Sequence, residues 1–468
     1  RVLIMNMTTM AIASALLLFG CSNRDTVSYK DYYNGTVKEL SSPEYCGRNN
    51  YNNGDIKAAK YIIDQLKSFG IAPMINQLGT DSTAHPHYKS EIRPGGLGRW
   101  ESEDSTYQAY LQNFTFPLNI MRGEMNVSLD GRTLTPTVDY IVKEFSPTCK
   151  GEFAVTALDT AYYQTPELFV GKLNSGEYKN SFVVLDWKLF LQKELYDTPF
   201  DVYQKCIAPL SNVGGLILKQ QEQFPYFKAR SYYNSKVPVI MVNESFPNDA
   251  NKITVSIESE MINNHDAHNI VAYLPGKYDS ETCITFIAHY DHLGLMGKEN
   301  LFPGANDNAS GVAMLLALAK YYSANLPDNN IQFIFLDAEE SNLLGAFYYA
   351  ENPYEQLSKI KYLVNFDMIG DNGDELICEI SSEGALGLDL LKTLNSRYSN
   401  PFKEVHCNEL SDNSDHYAFA LKHVPALYLT IEGDMYQYYH TPRDTYEHAS
   451  DANFNRLFDL IRQFVDNI

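Results

Sequence analysis

The sequence predicts an α/β fold: a mixed, mainly parallel sheet flanked by helices, with a β-rich insertion. Two observations carry this expectation. Between Thr285 and Gly370, three short apolar runs each end in polar residues. Phe286 and Ile287 precede His289 and Asp291; Ile331 to Leu336 precede Asp337, Glu339 and Glu340; Tyr362 to Phe366 precede Asp367. Apolar runs of this length between helix-like stretches are the pattern of strands buried on both faces of a parallel sheet. Residues 118–262, by contrast, alternate short β-type runs with turn signals and carry no comparable polar punctuation.

The elements follow in order. Residues 1–26 read as a targeting leader rather than as fold. Ala11 to Phe19 are apolar but too short to span a bilayer, and Leu18-Phe19-Gly20-Cys21 resembles a bacterial lipobox whose cysteine is lipidated. The expectation is export to the periplasm or cell envelope, with membrane contact only through a lipid on Cys21. Ile56, Ala59, Ile63, Leu66 and Phe69 then mark a helix stripe that Gly70 ends. His85 and His87, flanking Pro86, read as loop histidines. In the insertion, Asp130-Gly131 is a hairpin signal, and FAVTAL, SFVVLD, GGLILK and VPVIMVN read as strands. HNIVAYLPG resumes the main sheet. Ser310 fits an N-cap for a helix through Met314, Leu315 and Leu318, and residues 453–468 carry helical apolar spacing.

Composition narrows the function. The 468 residues include 58 acidic against 37 basic side chains, a net charge of −21, which excludes the basic face that nucleic-acid binding needs. Cys46, Cys149, Cys206, Cys283, Cys378 and Cys407 show no paired-cysteine metal spacing. Disulfides are open in an exported chain, Cys149 with Cys206 being a same-domain option.

The strand ends are where ligands sit in open α/β sheets. They deliver an imidazole and several carboxylates to one rim, and the loop PGANDNASG adds Asp307. Imidazole with carboxylates suits zinc, with cobalt or manganese as substitutes. A bridging carboxylate can hold two ions about 3.5–4 Å apart. Adjacent Glu339 and Glu340 can divide the work, one binding metal and one moving protons. A second imidazole is available at His440. His292, His406, His423 and His448 match no such pattern and read as structural.

In that order, His-x-Asp, GANDNASG, Glu-Glu, NFDMIG and YHTPRDT resemble the M28 family of di-zinc aminopeptidases. The resemblance implies His289 and Asp367 on one zinc, Glu340 and His440 on the other, and Asp307 as the bridge. It implies Glu339 as general base, Asp291 as the partner orienting His289, and Tyr439 as the hydroxyl steadying the substrate carbonyl. Asp415 and Phe419, in a stretch like the family's SDH segment, are expected at the pocket wall, on the substrate's amine and side chain. The zinc-exopeptidase fold is thereby expected from residues 27–117 and 263–468, around an insertion at 118–262 that resembles a protease-associated domain and would bind substrate or a partner protein. Peptides are the implied substrates. Related folds mark the alternatives. M20 peptidases insert a domain between their last two ligands, but Asp367 and His440 are only about 70 residues apart. Glutaminyl cyclases, carboxypeptidases or dipeptidases on the same scaffold, and relatives that bind without catalysis, remain the other readings.

Overall fold

The computed structural model describes residues 28–49, 53–74, 105–191, 196, 199–220, 231–243, 245–278 and 280–468. Cys21, His85 and His87 lie outside these.

Two helices open the described chain, α1 (Tyr29–Leu40) and α2 (Gly54–Ser68). α2 buries Ala58, Ala59, Ile62, Ile63 and Leu66, and Gly70 ends it at φ +73, its N–H reaching Lys67 O. Strands β1 (Ala72–Pro73) and β2 (Leu111–Ile120) follow. The next eight strands build a sheet of their own: β3 (Met125–Leu129), β4 (Arg132–Thr133), β5 (Tyr140–Val142), β6 (Cys149–Ala157), β7 (Ser181–Asp186), β8 (Gly215–Lys219), β9 (Val239–Val242) and β10 (Lys252–Ile257). The Asp130-Gly131 hairpin forms as its sequence predicts, both residues at positive φ between paired Leu129 and Arg132.

The long strand β11 (Glu260–Leu274) returns the chain to the main sheet, pairing antiparallel with β2 from Ile120 to Leu111. β2 and β11 therefore run through the positions 117/118 and 262/263, continuing from one sheet towards the other. After them come β12 (Cys283–His289), a small hairpin β13 (Gly294–Met296) and β14 (Asn300–Phe302), β15 (Asn330–Leu336), β16 (Ile360–Phe366), β17 (Glu375–Ile380), β18 (Glu404–Asn408) and β19 (Ala426–Thr430). The main sheet runs β1-β11-β15-β12-β16-β19-β17-β18, with β2 off β11. Its centre, β15-β12-β16-β19, is parallel, while β11 and β17 are antiparallel to their inner neighbours. Every residue of β12 and β15 is buried, as predominantly apolar runs covered on both faces require.

Helices α3 (Gly311–Ala324), α4 (Leu344–Glu351), α5 (Ala385–Arg397), α6 (His416–Ala420) and α7 (Phe454–Asn467) cover the faces. On one face α1, α2, α3 and α7 share a core with Phe286, Phe333, Val364 and Leu429; on the other Ile287, Ile334 and Leu363 pack with α4 and α6. Ser310 precedes α3 as expected but is not its side-chain cap. Its hydroxyl donates to Asn306 O and accepts from Ile369 N, while Asn308 Oδ1 takes the Gly311 N–H. No helix among the described residues is long and apolar enough to cross a membrane.

Candidate metal centre

Parallel, in-register pairing sets the site. His289 ends β12 opposite Leu336 of β15, so the residues just beyond, Asp337 to Glu340, emerge beside it, and Asp367 follows the end of β16 on its other side. His289 Nε2 faces carboxylate oxygens of Asp367 at 3.3 Å, Asp307 at 3.4 Å and Glu339 at 3.9 Å. His440 Nε2 lies 3.0 Å from the other Asp307 oxygen and 3.3 Å from Glu340 Oε2. Asp307 thus stands between two clusters, one oxygen towards each. The five residues expected as ligands thus lie together, His289 beside Asp367 and His440 beside Glu340, with Asp307 between them.

Burial makes the centre electrostatically demanding. Burial alone would lower the His289 pKa, but the charges of Glu339 and Asp367 override it and hold it well above the ordinary histidine range. His440 is pushed up to about 9 against burial by Glu340 and Asp307. Glu339 is held well above the usual carboxylate range by desolvation, with His289 opposing. Glu340, despite burial, is held well below it by His440 and His292. Buried carboxylates facing one another need compensating cations, and an imidazole–carboxylate donor set without thiolates fits zinc.

His292 belongs to this centre, which corrects its reading as structural. Its Nδ1 is 2.8 Å from Glu340 Oε1 and 3.7 Å from Asp307 Oδ2. Two groups of ligand atoms converge within 4.8 Å: His289, Glu339 and Asp367, and His292, Asp307 and Glu340. The turn after β12 brings residues three apart to the same rim, and no sequence periodicity announces that.

The supporting shell is built from backbone contacts. The Asp291 carboxylate accepts the N–H groups of Glu339 at 3.0 Å and Glu340 at 3.3 Å, while its main-chain oxygen, 3.1 Å away, is the nearer partner of His289 Nδ1. Asp291 therefore orients the glutamate pair as well as the imidazole. Ser414 donates to Asp367 Oδ2 at 2.7 Å and accepts from Asn365. Asp444 accepts the N–H groups of Asn306 and Asp307 at 2.8 and 3.0 Å. Ala338, Met368 and His440 adopt positive φ, conformations that cost non-glycine residues energy and cluster at functional sites.

Arg48 is the largest surprise. Its fully buried guanidinium donates to Tyr290 O, Leu40 O, Pro303 O, Gly304 O and Asp307 O at 2.7–3.0 Å. It grips both loops that carry the ligands of the Asp307 side. Gly304, at φ +63, leaves the space this needs: a Cβ there would lie 2.5 Å from Arg48 Nη2 and 2.2 Å from Asp307 O.

Of the remaining expected residues, Tyr439 stacks on His440 with ring centroids 3.8 Å apart. Asp415 is fully buried beyond the ligands, its carboxylate raised well above the usual range by desolvation, with His289 opposing. Phe419 is not on an open wall. It lies on the inward side of α6, fully buried and packed on Tyr349. A large apolar side chain on a short amphipathic helix goes to the core.

Residues 269–465 match Peptidase family M28. Relatives include the aminopeptidase YwaD of Bacillus subtilis, 27% identical over 244 residues (49% of this chain, 51% of that one), and a probable leucine aminopeptidase 2 of Aspergillus oryzae, 29% identical over 182 residues (37% and 35%). The chain thus spans about half, or less, of the length of these curated relatives. Similar solved structures are an aminopeptidase from Aneurinibacillus sp. strain AM-1 (TM-score 0.60, 19% identity, 94% of both chains) and a zinc aminopeptidase from Bacillus subtilis (TM-score 0.61, 16% identity, 94% and 95%). At such identities the likeness is one of fold, and it extends over nearly the whole chain. The segment that matches this family, residues 269–465, carries every ligand expected from the sequence.

Proposed function

We propose that this chain is a di-zinc aminopeptidase, removing N-terminal residues from peptides. The observation that carries the reading is Asp307, whose two oxygens address His289 on one side and His440 on the other. His289 and Asp367 would hold one zinc, Glu340 and His440 the other, with Asp307 shared. When bound, the ions supply an acidified water as nucleophile and a Lewis acid for the scissile carbonyl.

The chain's own residues do the rest. Glu339 lies at the edge of the His289 cluster, the farthest of its three carboxylates, which suits a proton carrier better than a ligand. It would take a proton from the nucleophile and return it to the leaving amine. Tyr439, stacked on His440, would donate its hydroxyl to the carbonyl oxygen as charge develops there, a contact worth about 3–4 kcal/mol when removed. Asp415 supplies buried negative charge that would attract a substrate amine.

The leader and Cys21 place the protein, in this proposal, in the cell envelope as a lipid-anchored exopeptidase. The sheet β3–β10 would act as a protease-associated unit controlling access of substrate or a partner.

The test is a panel of aminoacyl-p-nitroanilides beside N-acetylated controls, with and without a zinc chelator. Chelator-sensitive cleavage that needs the free amine is expected. Cleavage of the acetylated substrates, or turnover that survives metal removal, would overturn the reading.

A further inference from the structure

Cys378 and Cys407 sit directly opposite each other on the parallel strands β17 and β18, at the end of the main sheet. We propose that they form an intrachain disulfide in an oxidising environment, a modification site that ties the edge strand to its neighbour beneath the loop leading to Ser414.

Three observations carry it. Partners in register on neighbouring strands point to the same face, and strands lie about 4.7–4.9 Å apart, within the Cα separation of about 4.4–6.8 Å that a disulfide needs. Both side chains do share a face: Cys378 belongs to the apolar core under α5 and α7, and Cys407 packs against that same core. The two thiols hydrogen-bond each other, and each otherwise makes a weak bond to a β18 carbonyl, Cys378 to His406 O at 3.2 Å and Cys407 to Asn408 O at 3.6 Å. No other described cysteines are paired this way. Cys206, the same-domain option for Cys149, instead meets the Tyr196 hydroxyl at 3.0 Å.

The chemistry needs a small-molecule or protein disulfide as oxidant. The half-buried Cys407, as thiolate, attacks one oxidant sulfur, forming a mixed disulfide and releasing the first oxidant thiol. Cys378 then attacks Cys407 Sγ and expels the second, so the oxidant takes up two electrons and both protons. Burial and the neighbouring Cys407 hold the Cys378 thiol well above the ordinary range, so the closing step is the slow one at neutral pH.

The location gives the bond a structural consequence. The next paired residues are Glu379 and Asn408. The Glu379 carboxylate takes hydrogen bonds from Ser411 N, Ser411 Oγ and Asn413, and the adjacent Ser414 grips Asp367. A covalent tie fixes both ends of this loop's base. The oxidising setting follows from the export proposed above, but the chemistry can be tested apart from it.

The full chain, reduced and folded, is incubated in a glutathione buffer of oxidised and reduced forms. Free thiols are then alkylated, before and after unfolding, and the peptides mapped by mass spectrometry. A linked Cys378–Cys407 peptide, lighter by two hydrogens and split by reductant, is expected. Oxidised protein should also unfold at higher denaturant than reduced, with C407S and C407A both indifferent to the buffer. A stable glutathione adduct on Cys407, alkylation of both thiols, or linkage to a different cysteine would overturn the proposal, whatever the peptidase assay shows.

Discussion

Replacing Arg48 with lysine keeps the positive charge but removes the planar fork that grips both ligand loops. The guanidinium makes five hydrogen bonds to buried carbonyls, and an ammonium has three donors. Gly304 O also takes the Ala309 N–H, so at least one of the other four buried carbonyls is left without a donor. Such a group costs about 1–3 kcal/mol, so Arg48→Lys should destabilise the protein by at least about 1–3 kcal/mol. Against a typical total of about 5–15 kcal/mol, that is a large fraction. Burial lowers the Arg48 pKa to about 10, with Asp307 and Asp444 opposing, so the charge itself is present at neutral pH and is not what the substitution changes. The five carbonyls include that of Asp307 itself and that of Tyr290, one residue beyond His289, so zinc affinity should fall with stability. Urea unfolding in chelator gives the first quantity and competition with a chelating dye the second. A lysine variant within about 1 kcal/mol of the parent and with unchanged zinc affinity would refute this account of how the site is held.

Three further outcomes follow from the same geometry. Glu339→Gln should retain both metals by elemental analysis while turnover falls about 10²–10⁴-fold; metal loss would reassign Glu339 as a ligand. His292→Ala frees Glu340 Oε1 and should weaken one of the two proposed zinc sites about 10–100-fold in chelator titrations; unchanged zinc affinity would return His292 to a purely structural role. Burial raises the Glu379 pKa, but hydrogen bonds from His416 and Ser411 outweigh it and hold the group below its ordinary value. A depressed folded pKa stabilises above the unfolded value of about 4.3 and loses that contribution as pH falls through the folded one. Glu379→Gln should therefore cost about 1.5–3 kcal/mol at pH 7, with the gap to the parent closing below about pH 4 in denaturant titrations.

How much of this was legible depended on distance along the chain. The strands β12, β15 and β16 were readable because burial on both faces leaves predominantly apolar runs. His289, Glu340 and Asp367 were readable because strand ends converge in a parallel sheet. Glu339 and Glu340 could be told apart only as a pair, since which of them faces a metal depends on the positive-φ turn at Ala338. His292 was missed because a turn, not a period, brings it to the rim. Asp444 was in view within HTPRDT, yet a lone aspartate four positions after a ligand has no pattern that marks it as a clamp for the Asp307 loop. Phe419 was misplaced because a motif supplies position in the chain but not the side of a five-residue helix that faces the core.

Arg48 is the extreme case. Nothing in ETCITF or PGANDN reveals that an arginine from the N-terminal segment lies under both loops, and an isolated arginine in sequence reads as surface. Its role exists only because α1, α2 and the turn between them fold over the β12 and Asp307 loops. The ligands lie within 152 residues of one another, from His289 to His440, but the group that fixes their backbone lies outside that span. A fragment beginning at β11 would keep every metal ligand and lose the guanidinium, so by this reasoning it should hold zinc poorly even where the sheet still forms.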